Sequence, residues 1–323
     1  MSPARTLHIT NGDSAAGTMN EARIIGDILP WRDVLHDGPV PQGLSLAQLG
    51  PVRARFLSSV GWDDESQLLR AFKSRDDVVE RYDEYESVVL WFEWDLYDQL
   101  QLLQLLDFFA GKLGTREAPL RLEMVSVAGY LGNLPPDKLP ALYEQREPVN
   151  VATLSLGQKA WRAVTSPDPR EVPALLATDT SSLPFLADAL ERFLEELPWT
   201  SDGLARSERQ LMEGIASGAS SFGEVFQYAT AREERIYCGD ASAALYLRRL
   251  SQGDSPLVSS QGNGTADAEL SLTDAGKEVL GGEGDWIDLG GSDRWLGGVH
   301  LDRSNAPWRW DSRNRVVTQS RPA

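Results

Sequence analysis

Three short stretches carry side chains whose types and spacing suit ligand binding or catalysis. The first is Asn11-Gly12-Asp13-Ser14, between an apolar, β-branched run (Thr6–Thr10) and a helical one. A strand that turns on glycine into a helix N-terminus aims backbone N–H groups outward, where an anion, a phosphate or a developing oxyanion can sit. Ser14 is the expected N-cap and a candidate nucleophile, with Asn11, Gly12 and Asp13 as ligand contacts. The second stretch is Trp31-Arg32-Asp33-Val-Leu-His36-Asp37. Carboxylates close to His36 would favour its charged form, so Asp33 and His36 are candidate acid/base groups, with Trp31 and Arg32 beside them as ligand contacts. The third is Glu93-Trp94-Asp95, with Asp98 and Gln99 on the next helical turn. Glu93 and Asp95 are candidate catalytic carboxylates, Asp98 and Gln99 candidate ligand contacts. Asn133, after a later strand, adds one more polar contact. Glu93, Asp95, Asp98, Asp13 and His36 also offer hard oxygens and one imidazole, a set that suits Mg²⁺ or Mn²⁺. The plainer reading makes Asp95 a helix N-cap and leaves Asp98 and Gln99 to satisfy the helix dipole.

Elements must bring these stretches together. Ser87–Phe92 is a continuous apolar run, as expected of a central parallel strand buried on both faces. Further strands are expected at about 24–29 and 120–127, and helices at about 14–23, 46–59, 65–82 and 95–110. Strands alternating with helices predict an α/β domain over residues 1–148 with an open, mostly parallel sheet. Asn11–Ser14, Glu93–Asp98 and Gly132-Asn133 each follow a strand directly, so all three should gather at the carboxyl edge of that sheet. Residues 149–198 read as a helical connector punctuated by prolines. From 199 to 323 three helices, a hairpin around Gly262-Asn-Gly264 and a closing helix follow the order of a winged-helix-like α+β domain, with a Trp-rich tail.

Composition limits the partners. Lys+Arg 31 against Asp+Glu 48 gives a formal charge of −17, which opposes nonspecific attraction to nucleic acid or to an anionic membrane. The C-terminal part is less acidic but not basic, and Arg248-Arg249 is its one basic pair, so DNA is a weaker expectation than a protein partner or a homo-oligomer through that domain. A single cysteine, Cys238, excludes an intrachain disulfide and fits a cytoplasmic protein. No apolar run approaches the ~18 residues of a membrane span. No P-loop or dinucleotide fingerprint is present, and no H-x-x-x-H or C-x-x-C pattern supports zinc.

His8-Ile-Thr-Asn-Gly-Asp-Ser14, Leu29-Pro-Trp-Arg-Asp-Val-Leu-His-Asp-Gly-Pro-Val40 and Leu90-Trp-Phe-Glu-Trp-Asp-Leu-Tyr-Asp-Gln-Leu100 together resemble the motifs of a bacterial domain family of unknown function. Arg294-Trp-Leu-Gly-Gly-Val-His-Leu301 resembles the winged-helix-like extension that accompanies it. Where that family shows histidine between its Glu and Asp, this chain has Trp94, so an imidazole role there does not carry over. Gly12-Asp13-Ser14 with Asp33-x-x-His36 also resembles the blocks of GDS-type esterases, in which serine attacks, histidine takes its proton and aspartate orients the ring. Those enzymes carry the Asp/His block near the C-terminus, however, and Gly132-Asn133 lacks their following aspartate. The expected activity is therefore binding of a small anionic, phosphate-bearing ligand at the sheet edge, by a hydrolase or group-transfer enzyme. The alternative is a non-catalytic ligand-sensing regulator. His8, inside the first strand, is expected to be packed in the core.

Overall fold

The computed structural model describes residues 5–113, 121–261, 269–291, 293–302 and 308–319. Thr6–Thr10 (β1), Asp13–Glu21 (α1) and Asp27–Pro30 (β2) open the chain, followed by Leu46–Ser59 (α2), Glu65–Glu80 (α3) and Ser87–Glu93 (β3). Leu96–Leu113 (α4), Arg121–Val127 (β4), Leu139–Glu144 (α5) and Glu147–Pro148 (β5) complete a five-stranded sheet of order β2-β1-β3-β4-β5. The first four strands are parallel and β5 is antiparallel to β4. β2 closes one edge, and its Pro30, which has no N–H to donate, is tolerated there.

All seven residues of β3 are buried, as its unbroken apolar run demands. Strand alternation splits them between two cores. Val88, Leu90 and Phe92 join Leu7 and Ile9 against Leu100, Leu103 and Leu106 of α4. Val89 and Trp91 face the other way, with Ala15 and Met19 of α1 and Leu139 of α5. His8 lies on that second face and is fully buried. Trp91 Nε1–H donates to His8 Nδ1 at 3.1 Å, so the ring proton sits on Nε2, 3.1 Å from the Ile25 carbonyl oxygen. Burial lowers its pKa, and it is the core residue expected of it.

Val151–Thr165 (α6), Glu171–Leu176 (α7) and Leu186–Leu194 (α8) do not merely connect two units. Ala160, Trp161, Val172 and Phe193 belong to the same apolar cluster as Leu90 and Leu103, so these helices form a further layer over α4. Gly157 lies flat against Leu106, where a Cβ would fall 2.5 Å from the leucine Cβ.

Arg206–Ala216 (α9), Phe222–Thr230 (α10) and Asp240–Leu250 (α11) precede Val258–Gln261 (β6) and Glu269–Leu272 (β7), an antiparallel pair, and Asp274–Leu280 (α12). The expected Gly262–Gly264 turn lies outside the described residues. Leu211, Met212, Val225, Leu250, Val258 and Val279 give this part its own core. The tail adds two small hairpins, Arg294–Leu296 (β8) with Val299–Leu301 (β9), and Arg309–Asp311 (β10) with Val316–Thr318 (β11). Their Leu296, Val299 and Trp310 return to the first core. No helix among the described residues is long and apolar enough to cross a membrane.

Candidate functional site

The strand order makes β1 and β3 neighbours whose onward connections leave in opposite directions. Such a switch point opens a crevice beyond the carboxyl ends of the two strands, where open α/β sheets bind ligands. Asn11 and Glu93 stand at those two ends. Asn11 Nδ2 donates to Asp98 Oδ2 at 2.8 Å, and the Glu93 N–H donates to Asp98 Oδ1 at 2.7 Å. Asp95 sits just before α4 and accepts the Asp98 N–H at 3.2 Å, so the plain N-cap reading holds for it. The Leu131 N–H, in a short 3-10 turn after β4, donates to Glu93 Oε1 at 2.6 Å. Gln99 Nε2 donates to the Glu93 carbonyl at 2.6 Å, and Tyr97 Oη to the Asn11 carbonyl at 3.1 Å.

Capping does not account for the whole arrangement. Glu93, Asp95 and Asp98 are 4%, 3% and 1% exposed. Each offers an oxygen within 4.8 Å of the other two. No salt bridge reaches any of the three among the described residues. Burial and mutual repulsion therefore act together: Glu93 is raised to about 7, chiefly by desolvation and then by Asp95. Asp95 is raised to about 6 by desolvation, and Asp98 is pushed well up by desolvation and by both neighbours. Burying an unpaired carboxylate costs several kcal/mol even after relaxation, about what a whole domain can spare. Three such groups together at the carboxyl edge of the sheet make this the candidate site. Their donor set is all oxygen, which fits a hard divalent cation and gives zinc no nitrogen or sulfur.

The other expected residues divide sharply. Helix α1 begins at Asp13 with Gly12 as N-cap and no side-chain cap bond, so Ser14 is not the cap. Ser14 is exposed and packs under Gly132, where a Cβ would lie 2.1 Å from its Oγ. Asp13 and Arg32 are both exposed and pair with each other, Nε to Oδ2 at 2.8 Å, joining the first turn to the loop after β2. Asn133 ends the 3-10 turn and is exposed.

Three of the expected residues are buried and bonded within the protein. Trp31 is fully buried, donates Nε1–H to Gln104 at 2.8 Å and carries the Arg75 guanidinium 3.9 Å from its ring centre. Asp33 is buried against Arg53, which donates to it at 2.9 and 3.0 Å and spends its remaining donors on the carbonyls of Val34, Asp37 and Pro39. His36 was expected in a polar, charge-favouring loop. It is 4% exposed, edge-on to Tyr97 and Tyr237, and burial outweighs Asp37 so that its pKa falls. Its Nε2 lies 3.3 Å from Ser242 Oγ of α11, and that hydroxyl donates to Asp37 at 2.6 Å. Asp33 is thus bonded to Arg53 and His36 Nε2 to Ser242, while His36 Nδ1 has no hydrogen-bond partner, and among the described residues no hydrogen bond joins either side chain to Ser14.

Sequence reasoning missed Arg235. Its guanidinium donates to the Trp94 carbonyl at 3.1 Å and pairs with Asp188, crossing from the C-terminal part to the end of β3. No local motif marks it, because its partners lie 141 and 47 residues away.

No family model and no curated protein matches the chain. Among solved structures, it is similar to the DNA-binding, cleavage and re-ligation domain of Plasmodium falciparum topoisomerase II, at 10% identity and a TM-score of 0.40. That match covers 97% of this chain and 54% of the other, so the chain spans about half its length. A likeness at this level carries no argument about fold or function.

Proposed function

We propose that the carboxyl edge of the sheet binds a divalent cation, Mg²⁺ or Mn²⁺, together with a small phosphate-bearing ligand, and acts on it as a hydrolase or group-transfer enzyme. The observation that carries this reading is the triad of buried carboxylates, Glu93, Asp95 and Asp98, within 4.8 Å of one another at the sheet's switch point. Bound there, the cation would neutralise charge on phosphate oxygens. Asn11, the Glu93 backbone and Leu131 hold the carboxylates in place through their N–H groups. Asp33, His36 and Trp31 are left out of this reading, being buried against Arg53, Ser242 and Gln104.

The regulator reading is weaker on one specific point. Helix α11 would be the recognition helix of a winged-helix-like unit, but Ser242 is bonded to Asp37 and Arg248 Nη2 donates to the Val60 carbonyl at 3.1 Å. Reading DNA with that helix would require undocking it from the α/β part.

The test is a thermal-shift screen of phosphorylated metabolites with and without Mg²⁺, on wild type and Asp98→Asn. A ligand that binds only the native state raises the melting temperature with concentration. A Mg²⁺-dependent shift lost in Asp98→Asn is expected. A shift that is the same in both proteins, or independent of Mg²⁺, would count against the proposal.

A further inference from the structure

A cavity of 280 Å³ opens beside the carboxylate cluster, built from the end of β3 and from residues beyond 187. Trp94, Asp95 and Leu96, at the end of β3, form one wall. Helix α8, the 233–235 loop, Arg206 and the β10–β11 hairpin form the rest. Asp95 is the member of the carboxylate triad that lines it. At just under the ~300 Å³ where small-molecule sites begin, the cavity suits a compact ligand.

The lining sets four arginines, Arg192, Arg206, Arg235 and Arg315, among six carboxylates, and the arginines are not equivalent. Arg192 is locked between Glu196 and Glu233, and its side chain is 10% exposed. Arg206 is held by Glu195 at 2.6 Å. Arg315 and Glu191 pair on the surface, 59% and 44% exposed, whereas Arg235 is 23% exposed, pairs with Asp188 through Nη2 and keeps Nη1 on the Trp94 carbonyl. A pair as exposed as Arg315–Glu191 contributes little to stability. A phosphate, which accepts two parallel N–H bonds from a guanidinium, can displace such a partner at little cost. Asp188 and Glu191 then return to water.

We infer that this cavity is the ligand chamber of the metal site, and that the C-terminal part completes it by supplying Arg235 and Arg315 to a small phosphorylated ligand. The inference rests on the metal reading above, because the phosphate would lie between these guanidinium groups and a cation at Asp95. It also gives helix α8, the 233–235 loop and the β10–β11 hairpin a function, since the α/β part alone presents the carboxylates without these arginines.

Equilibrium dialysis of the full chain with labelled inorganic phosphate, with and without Mg²⁺, tests it on wild type, Arg235→Gln, Arg315→Gln and Arg170→Gln. Arg315 is 59% exposed, so its variant should fold; Arg170, paired with Asp168 elsewhere on the surface, is the control. Phosphate should bind wild type and Arg170→Gln more tightly with Mg²⁺, and bind Arg235→Gln and Arg315→Gln at least tenfold more weakly, with Mg²⁺ affinity unchanged in Arg315→Gln and Arg170→Gln. Equal phosphate binding in all four proteins overturns the inference. So does a wild type that binds Mg²⁺ but no phosphate, which leaves the metal reading standing. Phosphate bound through the two arginines by a protein that binds no Mg²⁺ would keep the chamber and remove the metal.

Discussion

Asp33 has the Arg53 guanidinium 2.9 Å away, whereas Glu93, at the same 4% exposure, has Asp95 and Asp98 for neighbours. These two buried acids call for opposite responses to substitution. Asp33→Ala leaves Arg53 charged, buried and unpaired, and should cost about 3–5 kcal/mol in urea unfolding. Glu93→Gln keeps an oxygen for the Leu131 N–H and removes a charge from a repulsive cluster, so the metal-free protein should gain stability. Glu93 in the folded chain titrates near 7, above its ordinary 4.5, so the native state holds the proton more tightly than the unfolded one. Its contribution to stability is complete below about 4.5 and is lost as pH rises through about 7. In EDTA the wild-type melting temperature should therefore fall between pH 5.5 and pH 8, and the fall should shrink in Glu93→Gln. A melting temperature that rises over that range in EDTA would mean the cluster is not strained by its own charge.

At the scale of elements, Gly132 shows how tightly the turn after β4 rests on α1. A Cβ there would lie 2.1 Å from Ser14 Oγ and 2.9 Å from Ser14 Cβ. Gly132→Ala should cost about 1–3 kcal/mol in chemical denaturation, and Ser14→Gly should recover much of that loss in the double mutant. Purely additive effects would show that the two segments do not press on each other. This was the part of the fold most legible in the sequence. The apolar run at Ser87–Phe92 and the turn residues at Asn11–Asp13 fix strands and helices through local periodicity, and a parallel sheet then places Glu93 and Asn11 at one edge. Local pattern could not distinguish His36 as a packed residue from His36 as a base. What buries it is Ser242, Tyr237 and Tyr97, and Ser242 is 206 residues away. For the same reason Asp33 read as an acid until Arg53 came to rest against it.

Across the whole molecule, the C-terminal part is anchored on the carboxyl edge of the sheet by contacts remote in sequence. They are Ser242 to Asp37, the Ile236 N–H to Tyr130 Oη at 2.6 Å, and Arg235 to the Trp94 carbonyl. The edge that carries the acidic cluster is thus the edge the rest of the chain covers, which gives one account of both the buried charge and the domain arrangement. A cation at Glu93, Asp95 and Asp98 must displace the protons that burial holds there, since metal ligands bind deprotonated. The decisive measurement is calorimetric titration of the protein with Mn²⁺ at pH 6.5, in two buffers of different ionisation enthalpy. The account predicts one bound Mn²⁺ with net proton release, both abolished in Asp98→Asn. Absence of binding, or binding that releases no proton and survives Asp98→Asn, would contradict it.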